Sequence, residues 1–414
     1  MATASTVSEA VNRPESPPAG LLVVLTPLSP EGLERTIANL AAAFHTKPIL
    51  IATPDPVPPG ISDSSVFRIF TYTPAAPTPG GWLLSAADFL NTYKLMQERG
   101  AEGCLLLGPE AHSIGAAGLT GLASALLSGS ADLTVPRYAL GARDGLVNSA
   151  ILYPTTRAIF GTKVRYPLAI DLALSRKMAE RLASTAQRFT ASGQNTALLW
   201  PVAEAASAGL NITEGEVGTR TIPAPDAADL NAILANVAGS LFADIEAKAG
   251  YWQRARLAYS PKAAAAHTQA TAAREQNAPS PELLDIQPML DSFRLAYSNL
   301  QEIWSLVLPP NSLLGLKKLS MMPAATFRMA DALWTRIVYD FILAYRLRTI
   351  NRGHLMGALT PLYLAWVASH LRLASASGGD GLAPEAHVES LAAAFETDKP
   401  YLVSRWRWPD RFNP

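Results

Sequence analysis

Residues 21–30 read LLVVLTPLSP, an apolar run that ends in proline-containing turn residues, and they set the pattern for the first half of the chain. A short apolar run bounded by turn residues is typical of a buried strand. Leu33, Ile37 and Leu40 follow at helical spacing. Further strand-like runs lie at residues 48–53 (PILIAT), 66–72 (VFRIFTY), 104–108 (CLLLG) and 132–136 (DLTVP). Because these strands alternate with amphipathic helices, the sequence predicts an α/β fold with a mostly parallel sheet flanked by helices.

The remaining chain divides by composition. Residues 1–19 carry Ser, Pro and Glu without an apolar run, and we interpret them as a disordered leader. The α/β domain is predicted over 20–257, and the Ala-, Gln- and Pro-biased stretch 258–282 as a low-complexity linker. From residue 283 to 414 the pattern is helical, which predicts a C-terminal helical region.

Composition narrows the classes of protein. Lys plus Arg and Asp plus Glu each number 34, so no net field favours nucleic acid or an anionic membrane. Cys104 is the single cysteine, which rules out an intramolecular disulfide and a cysteine-based zinc cluster. With no apolar stretch typical of a secretory signal or a clean membrane span, we expect a cytoplasmic protein without a membrane span.

Several catalytic signatures are missing. The sequence has no GxxxxGK[ST], GxGxxG after a strand, HExxH or GxSxG, which argues against P-loop ATPases, classical dehydrogenases, zincins and α/β-hydrolases. The six histidines are scattered, and none lies at ligand spacing from another. We therefore favour an ordinary structural or surface role for each histidine and assign no residue as a metal ligand.

The loops after the strands are the places to search for a site, because ligands of open parallel sheets bind beyond the carboxyl ends of the strands. One such loop, GPEAHS at residues 108–113, carries Glu110 and His112. This carboxylate and imidazole either share a cation or simply face water in a turn. Another loop runs from Pro27 to Pro30, after the first strand.

Asp171 stands inside the otherwise apolar stretch YPLAIDLAL. A carboxylate in a nearly buried strand needs either a partner or a task. The sequence leaves two alternatives open: a functional role, or an ion pair with Arg165 or a neighbouring arginine. Arg137, Lys163, Arg165 and Arg220 lie near the same predicted sheet edge, and such cations can hold a diphosphate.

Two stretches carry a family resemblance. Residues 131–138 (ADLTVPRY), continuing through 144–175, and the helical stretch 333–369 resemble the glycosyltransferase-2-like GT-A family that includes the glucosylglycerate and mannosylglycerate synthase type. The resemblance implies a GT-A-like sheet, a nucleotide-diphosphate-sugar donor and transfer of the sugar to a small hydroxylated acceptor. It also implies a divalent cation, Mg²⁺ or Mn²⁺, that neutralises charge on the leaving diphosphate.

The resemblance also implies roles for individual residues. Asp171 would act as the catalytic residue on acceptor or sugar hydroxyls. Donor binding would fall to Pro27, Ser29, Glu110, Arg137, Tyr138 and Arg165, with the arginines on the diphosphate and the Pro27–Ser29 loop on the nucleotide base.

The chain departs from the family where the cation would bind. The family has Asp-x-Asp after the strand, whereas this chain has Gly108-Pro109-Glu110, and the later stretch TRTIPAPD lacks the family's histidine. The ligand motif for the cation therefore looks lost.

Three functions remain open. The first is a transferase in which either Glu110 and His112 replace the acid pair or basic side chains replace the metal. The second is a catalytically inactive relative that acts as a binding or regulatory scaffold. The third is an assembly protein that forms homo-oligomers through the helical C-terminal region.

Overall fold

The computed structural model describes residues 20–46, 48–74, 81–141, 143–223, 229–254, 286–376 and 382–409. The predicted leader (1–19) and the predicted linker (258–282) lie outside the described residues. The described chain forms one mixed sheet with helices on both faces and a C-terminal helical region. The α/β class, the mostly parallel sheet and the helical region that the sequence predicts are therefore confirmed.

Among the described residues, seven strands form the sheet, in the spatial order β3-β2-β1-β4-β6-β5-β7. They are β1 (Leu22–Leu25), β2 (Ile49–Thr53), β3 (Phe67–Thr71), β4 (Gly103–Leu107), β5 (Leu133–Tyr138), β6 (Asp171–Ser175) and β7 (Ile212–Gly218). Strand β6 runs antiparallel to both of its neighbours, and the other pairs are parallel. The amino end of β6 therefore lies at the same edge as the carboxyl ends of the other strands, with Asp171 opposite Leu107.

In the part of the chain that the structure describes, eight helices accompany the sheet and six follow in the C-terminal region. The first set is α1 (Pro30–Ala43), α2 (Ala86–Arg99), α3 (Ala116–Leu127), α4 (Tyr153–Phe160), α5 (Arg176–Ala191), α6 (Pro201–Ala208), α7 (Leu230–Ala247) and α8 (Ala249–Trp252). The second is α9 (Gln287–Asn299), α10 (Gln301–Ser305), α11 (Pro310–Ser320), α12 (Asp331–Leu347), α13 (Arg352–Ala376) and α14 (Leu382–Arg407). A π-helical turn, Asn148–Leu152, leads into α4.

Alternate side chains of the strands pack on opposite faces of the sheet. Leu22, Val24 and Leu106 belong to a buried cluster with side chains of α2, α5 and α6. Val23 and Leu105 belong to a second cluster with side chains of α1 and α3. Both faces are thus covered, as expected for strands that read as continuous apolar runs.

A third core joins the helical region to the α/β part. Trp304 and Trp334 are fully buried in it, and their indole nitrogens donate to the carbonyl oxygens of Ala358 (2.9 Å) and Ala150 (2.8 Å). Side chains of α4, α6 and α7 share this cluster with those of α9–α14. Helix α7, which the sequence assigned to the first domain, therefore packs against the second.

Local hydrogen bonds define several helix ends. Helix α2 begins at Ala86, where Ser85 and Asp88 form a capping box. Helices α7 and α8 meet at Lys248. Ser175 caps α5, accepting a hydrogen bond from the Met178 amide at 3.2 Å. Within the described chain, no helix combines the length and apolar character that a membrane crossing requires.

Candidate functional site

Asp171 lies at the centre of the carboxyl edge of the sheet, and its side chain is fully buried. Oδ1 accepts hydrogen bonds from the Gly108 amide (3.1 Å) and from Arg220 Nη2 (3.2 Å). Oδ2 accepts from the Tyr138 hydroxyl (2.8 Å) and from Arg220 Nε (2.9 Å). Four donors thus surround the carboxylate, which satisfies its capacity to accept.

Arg220, in the loop after β7, is the ion-pair partner of Asp171, and its side chain is likewise fully buried. Besides the carboxylate, its guanidinium donates to three oxygens of the loop after β4: the carbonyls of Pro109 (2.5 Å) and Glu110 (2.5 Å) and Ser113 Oγ (3.0 Å). Each of its five N–H groups therefore has an acceptor. Burial disfavours the charge on Arg220, but Asp171 outweighs it and raises the pKa of the guanidinium.

The loop after β4 has a backbone shaped for this contact. A Cβ added at Gly108 would lie 2.4 Å from the carbonyl oxygen of Ile170, so only glycine fits there. Glu110 adopts the left-handed conformation, with φ 61°, which is uncommon for a residue with a side chain. The single turn Ala111–Ser113 follows, and Ser113 Oγ donates to the Glu110 carbonyl at 2.8 Å. The loop thus directs backbone oxygens at Arg220.

Tyr138 completes the cluster as a neutral donor. Burial, with the nearby Asp171 charge, raises the pKa of its hydroxyl well above the ordinary value. The hydroxyl therefore keeps its proton and donates a hydrogen bond to the carboxylate. This hydrogen bond stabilises the buried Asp171 anion. The Tyr166 ring packs against it, with the ring centroids 5.1 Å apart.

The structure gives the two predicted diphosphate arginines other partners. Arg137 is exposed and pairs with Glu214 (3.4 Å) and with another glutamate of β7. Arg165 is buried, and its Nε donates to Glu385 Oε1 at the start of α14 (2.9 Å), while Nη2 donates to Ser149 Oγ (2.9 Å). These arginines thus belong to ion pairs of their own, outside the Asp171 cluster.

The Pro27–Ser29 loop, which was predicted to bind the nucleotide base, already forms hydrogen bonds within the protein. Pro27 is exposed, whereas Ser29 caps α1 by accepting a hydrogen bond from the Gly32 amide at 3.1 Å. The Leu28 amide donates to Asp55 Oδ2 at 2.8 Å. The Ser29 hydroxyl is therefore already used in the helix cap.

Glu110 and His112 are the accessible acid and imidazole at this edge. Their side chains are 44% and 24% exposed, and Glu110 Oε2 lies 3.5 Å from His112 Nε2. They form a pair, and across the described ranges no three His, Cys, Asp or Glu side chains are grouped so that they could hold a metal ion.

The sequence left the partner of Asp171 open, and it is Arg220, not Arg165. Pro109 and Ser113 were not predicted as members of the cluster. The available signal was topological: the loop after a parallel strand β7 must reach the same edge as the loop after β4. Recognising it requires the strand order, which a single sequence does not reveal.

Comparison with known proteins finds structural similarity only. No protein-family model matches the chain, and no curated protein matches it. One similar structure is a glucosyl-3-phosphoglycerate synthase from Mycobacterium tuberculosis, solved with Mn²⁺, uridine diphosphate and phosphoglyceric acid. It is 14% identical to this chain, the match covers 55% of this chain and 78% of that chain, and the TM-score is 0.32. A CMP:2-keto-3-deoxy-manno-octonic acid synthetase solved with CTP is 12% identical, with 53% and 99% covered and a TM-score of 0.31. At these values the similarity identifies neither a substrate nor a reaction for this chain.

Proposed function

We propose that the chain is a glycosyltransferase-like protein whose donor site is closed by the Asp171–Arg220 pair, and that it acts as a binding or regulatory scaffold without transferring sugar. The observation that carries this proposal is the complete burial of a charged pair at the sheet edge where the ligands of such folds bind. A scaffold of this kind keeps its core and its helical region while its catalytic edge is used internally.

The residues at this edge do not fit a divalent cation. The Asp171 carboxylate and the main-chain carbonyls of Pro109 and Glu110 are hard oxygen ligands of the kind that such a cation prefers, and all of them accept hydrogen bonds from Arg220. A metal ion bound to these oxygens would have to displace a guanidinium that carries charge of the same sign. The displaced guanidinium would lose its carboxylate partner in a buried position, which is unfavourable.

A second candidate is an active transferase, and the Glu110–His112 pair is the observation that favours it. This pair is accessible to solvent and lies on the loop beside Arg220. In that case Asp171 would act on acceptor or sugar hydroxyls, Tyr138 and the Pro27–Ser29 loop would contact the donor, and Arg137 and Arg165 would hold the diphosphate. Each arginine would first have to leave its glutamate.

Titration calorimetry with UDP-, GDP- and ADP-sugars, in Mn²⁺ and then in EDTA, separates the two candidates. The closed-site proposal expects no binding heat and no released nucleoside diphosphate from protein shown to be folded by circular dichroism. Micromolar, Mn²⁺-dependent binding that is lost in both Glu110→Gln and His112→Asn would overturn it in favour of the active transferase. Binding that ignores EDTA and is lost in Arg137→Gln would overturn it in favour of a site built on arginines.

A cytoplasmic location and self-association through the helical region belong to the same proposal. The single buried thiol, Cys104, supports the location, since a reducing compartment suits a chain without disulfides. Size-exclusion chromatography with light scattering measures the oligomeric state directly, and a monomer at all concentrations would remove self-association from the proposal.

A further inference from the structure

A cleft in the helical region, between α11, α12 and α14, has the size and lining of a small-molecule site. Its volume is about 580 Å³, which lies within the range of roughly 300–1,000 Å³ that is usual for ligand pockets. Apolar side chains, among them Leu333 and Ala394, line part of it, and Arg336, Tyr401 and Arg405 line the rest. This combination of an apolar wall and a few grouped polar atoms is typical of sites for small organic ligands.

Arg336 is held rigidly in the cleft. Its Nη2 donates to Asp398 Oδ1 at 2.9 Å, its Nε donates to the other oxygen of that carboxylate, and its guanidinium lies over the Tyr401 ring, 4.1 Å from the centroid. The remaining amino group, Nη1, makes no hydrogen bond to any residue within the described ranges. A fixed guanidinium with a donor to spare is well suited to bind a carboxylate or a phosphate.

Arg405 supplies a second cation. It donates to the buried carboxylate of Asp340, which also accepts from the Tyr401 hydroxyl at 2.7 Å. Burial raises the pKa of Asp340 to about 7, although the hydrogen bonds and charges of its partners lower it. The charged and titratable groups that face Asp340 are Tyr401, Arg405 and Arg336. Near neutral pH the negative charge of Asp340 beside Arg405 is therefore reduced. The uncapped N-terminal turn of α11 lies on the same cleft and adds to the positive potential.

We propose that this cleft binds a small organic anion, a carboxylate or phosphate monoester with an apolar body, with Arg336 and Arg405 on the anionic group and the Leu333 side of the cleft on the body. The proposal goes beyond the closed donor site, since it concerns the helical region and does not depend on whether sugar is transferred. The fit of such an anion to the cleft rests on three features: the volume, the two guanidiniums and the apolar wall.

The test is calorimetric titration of the full chain with phenyl phosphate and with benzoate. Arg336→Gln should weaken both about tenfold or more, since a charge-assisted hydrogen bond to the anion is lost. Arg176→Gln is the matched control, because Arg176 also makes one ion pair and is 42% exposed, against 43% for Arg336. The control should bind both probes as the unaltered chain does.

A second variant tests the cleft without changing its charge. Ala394→Phe fills the space between the helices and leaves both arginines in place, so it should also abolish binding. Affinity for benzoate, which stays ionised over this range, should rise as the pH falls from 8 to 6, since protonation of Asp340 leaves the cleft more positive. The proposal is overturned if folded protein gives no heat with either probe at millimolar concentration, or if Arg336→Gln and Ala394→Phe bind as tightly as the control.

Discussion

Arg220→Met is the substitution that tests the closed edge of the sheet most directly. Methionine keeps much of the length and apolar stem of arginine but removes every donor, so the Asp171 carboxylate keeps only the Tyr138 hydroxyl and the Gly108 amide. The carbonyl of Pro109 also loses its donor. Deleting one partner of a buried pair leaves an uncompensated charge, and we expect a loss of about 3–5 kcal/mol in the free energy of unfolding.

The assay is urea unfolding at pH 7, followed by tryptophan fluorescence and by far-ultraviolet circular dichroism. The double variant Asp171→Asn/Arg220→Met removes the orphaned charge, so it should recover about 1–3 kcal/mol relative to Arg220→Met alone. Arg176→Met is the control, because its pair with Glu102 is exposed and is expected to contribute about 1 kcal/mol or less.

The refuting result is an Arg220→Met variant that unfolds like Arg176→Met. The Asp171–Arg220 pair would then be too weak to exclude a competing ligand, and the closed-site proposal would lose its support. Asp171→Asn alone gives a second comparison. The closed-site proposal expects a loss of stability of about 3–5 kcal/mol, because the buried Arg220 charge loses its counter-charge, whereas the active transferase expects lost turnover with stability nearly intact.

Three further predictions concern the helical region and one helix cap. The folded-state pKa of Asp340 is raised from 3.8 to about 7, so between these values the folded protein retains a proton that the unfolded chain releases. The free energy of unfolding should therefore fall by roughly 4 kcal/mol as the pH rises from 4 to 7. In Asp340→Asn, the free energy of unfolding should change less over this pH range. His370 is buried beside His387, which lowers its pKa from 6.5 to about 4. The stability that the neutral imidazole provides should therefore be fully present above pH 6.5 and should be lost as the pH falls through 4. NMR titration of the imidazole should show a midpoint near 4, not 6.5. Ser175→Ala removes the cap of α5 and should lower the free energy of unfolding by about 1 kcal/mol, measured by urea titration.

The sequence predicted the strands well because each is short, apolar and bounded by turn residues. The runs at Leu22, Ile49, Phe67, Gly103 and Leu133 all form strands of the sheet. Burial on both faces makes β1 and β4 apolar along their whole length, so their signal is strong without any knowledge of topology, whereas β3 and β5 each carry an exposed arginine.

The site was harder to predict, because its contacts join distant parts of the chain. Arg165 and Arg220 are both arginines near the same edge, yet one pairs with Glu385 in the helical region and the other with Asp171 in the sheet. Neither choice has a local sequence signal. The strand predicted around YPLAIDLAL begins only at Asp171, which places the carboxylate at the end of β6, within reach of the loops.

The identity of the cation at the sheet edge decides what the fold can do there. A metal ion at such an edge exchanges ligands with its substrate, whereas the guanidinium of Arg220 is covalently part of the chain and its N–H groups already have protein acceptors. In the closed-site proposal, the Arg220 guanidinium takes the place of a metal ion. The edge then holds β4, β6 and the loop after β7 together instead of binding a ligand. The cleft beside Arg336 is the reverse case, since its guanidinium is half exposed and retains a donor. Ligand recognition in this chain is therefore expected beside Arg336, whose side chain is 43% exposed, and not at the sheet edge, where Arg220 is fully buried.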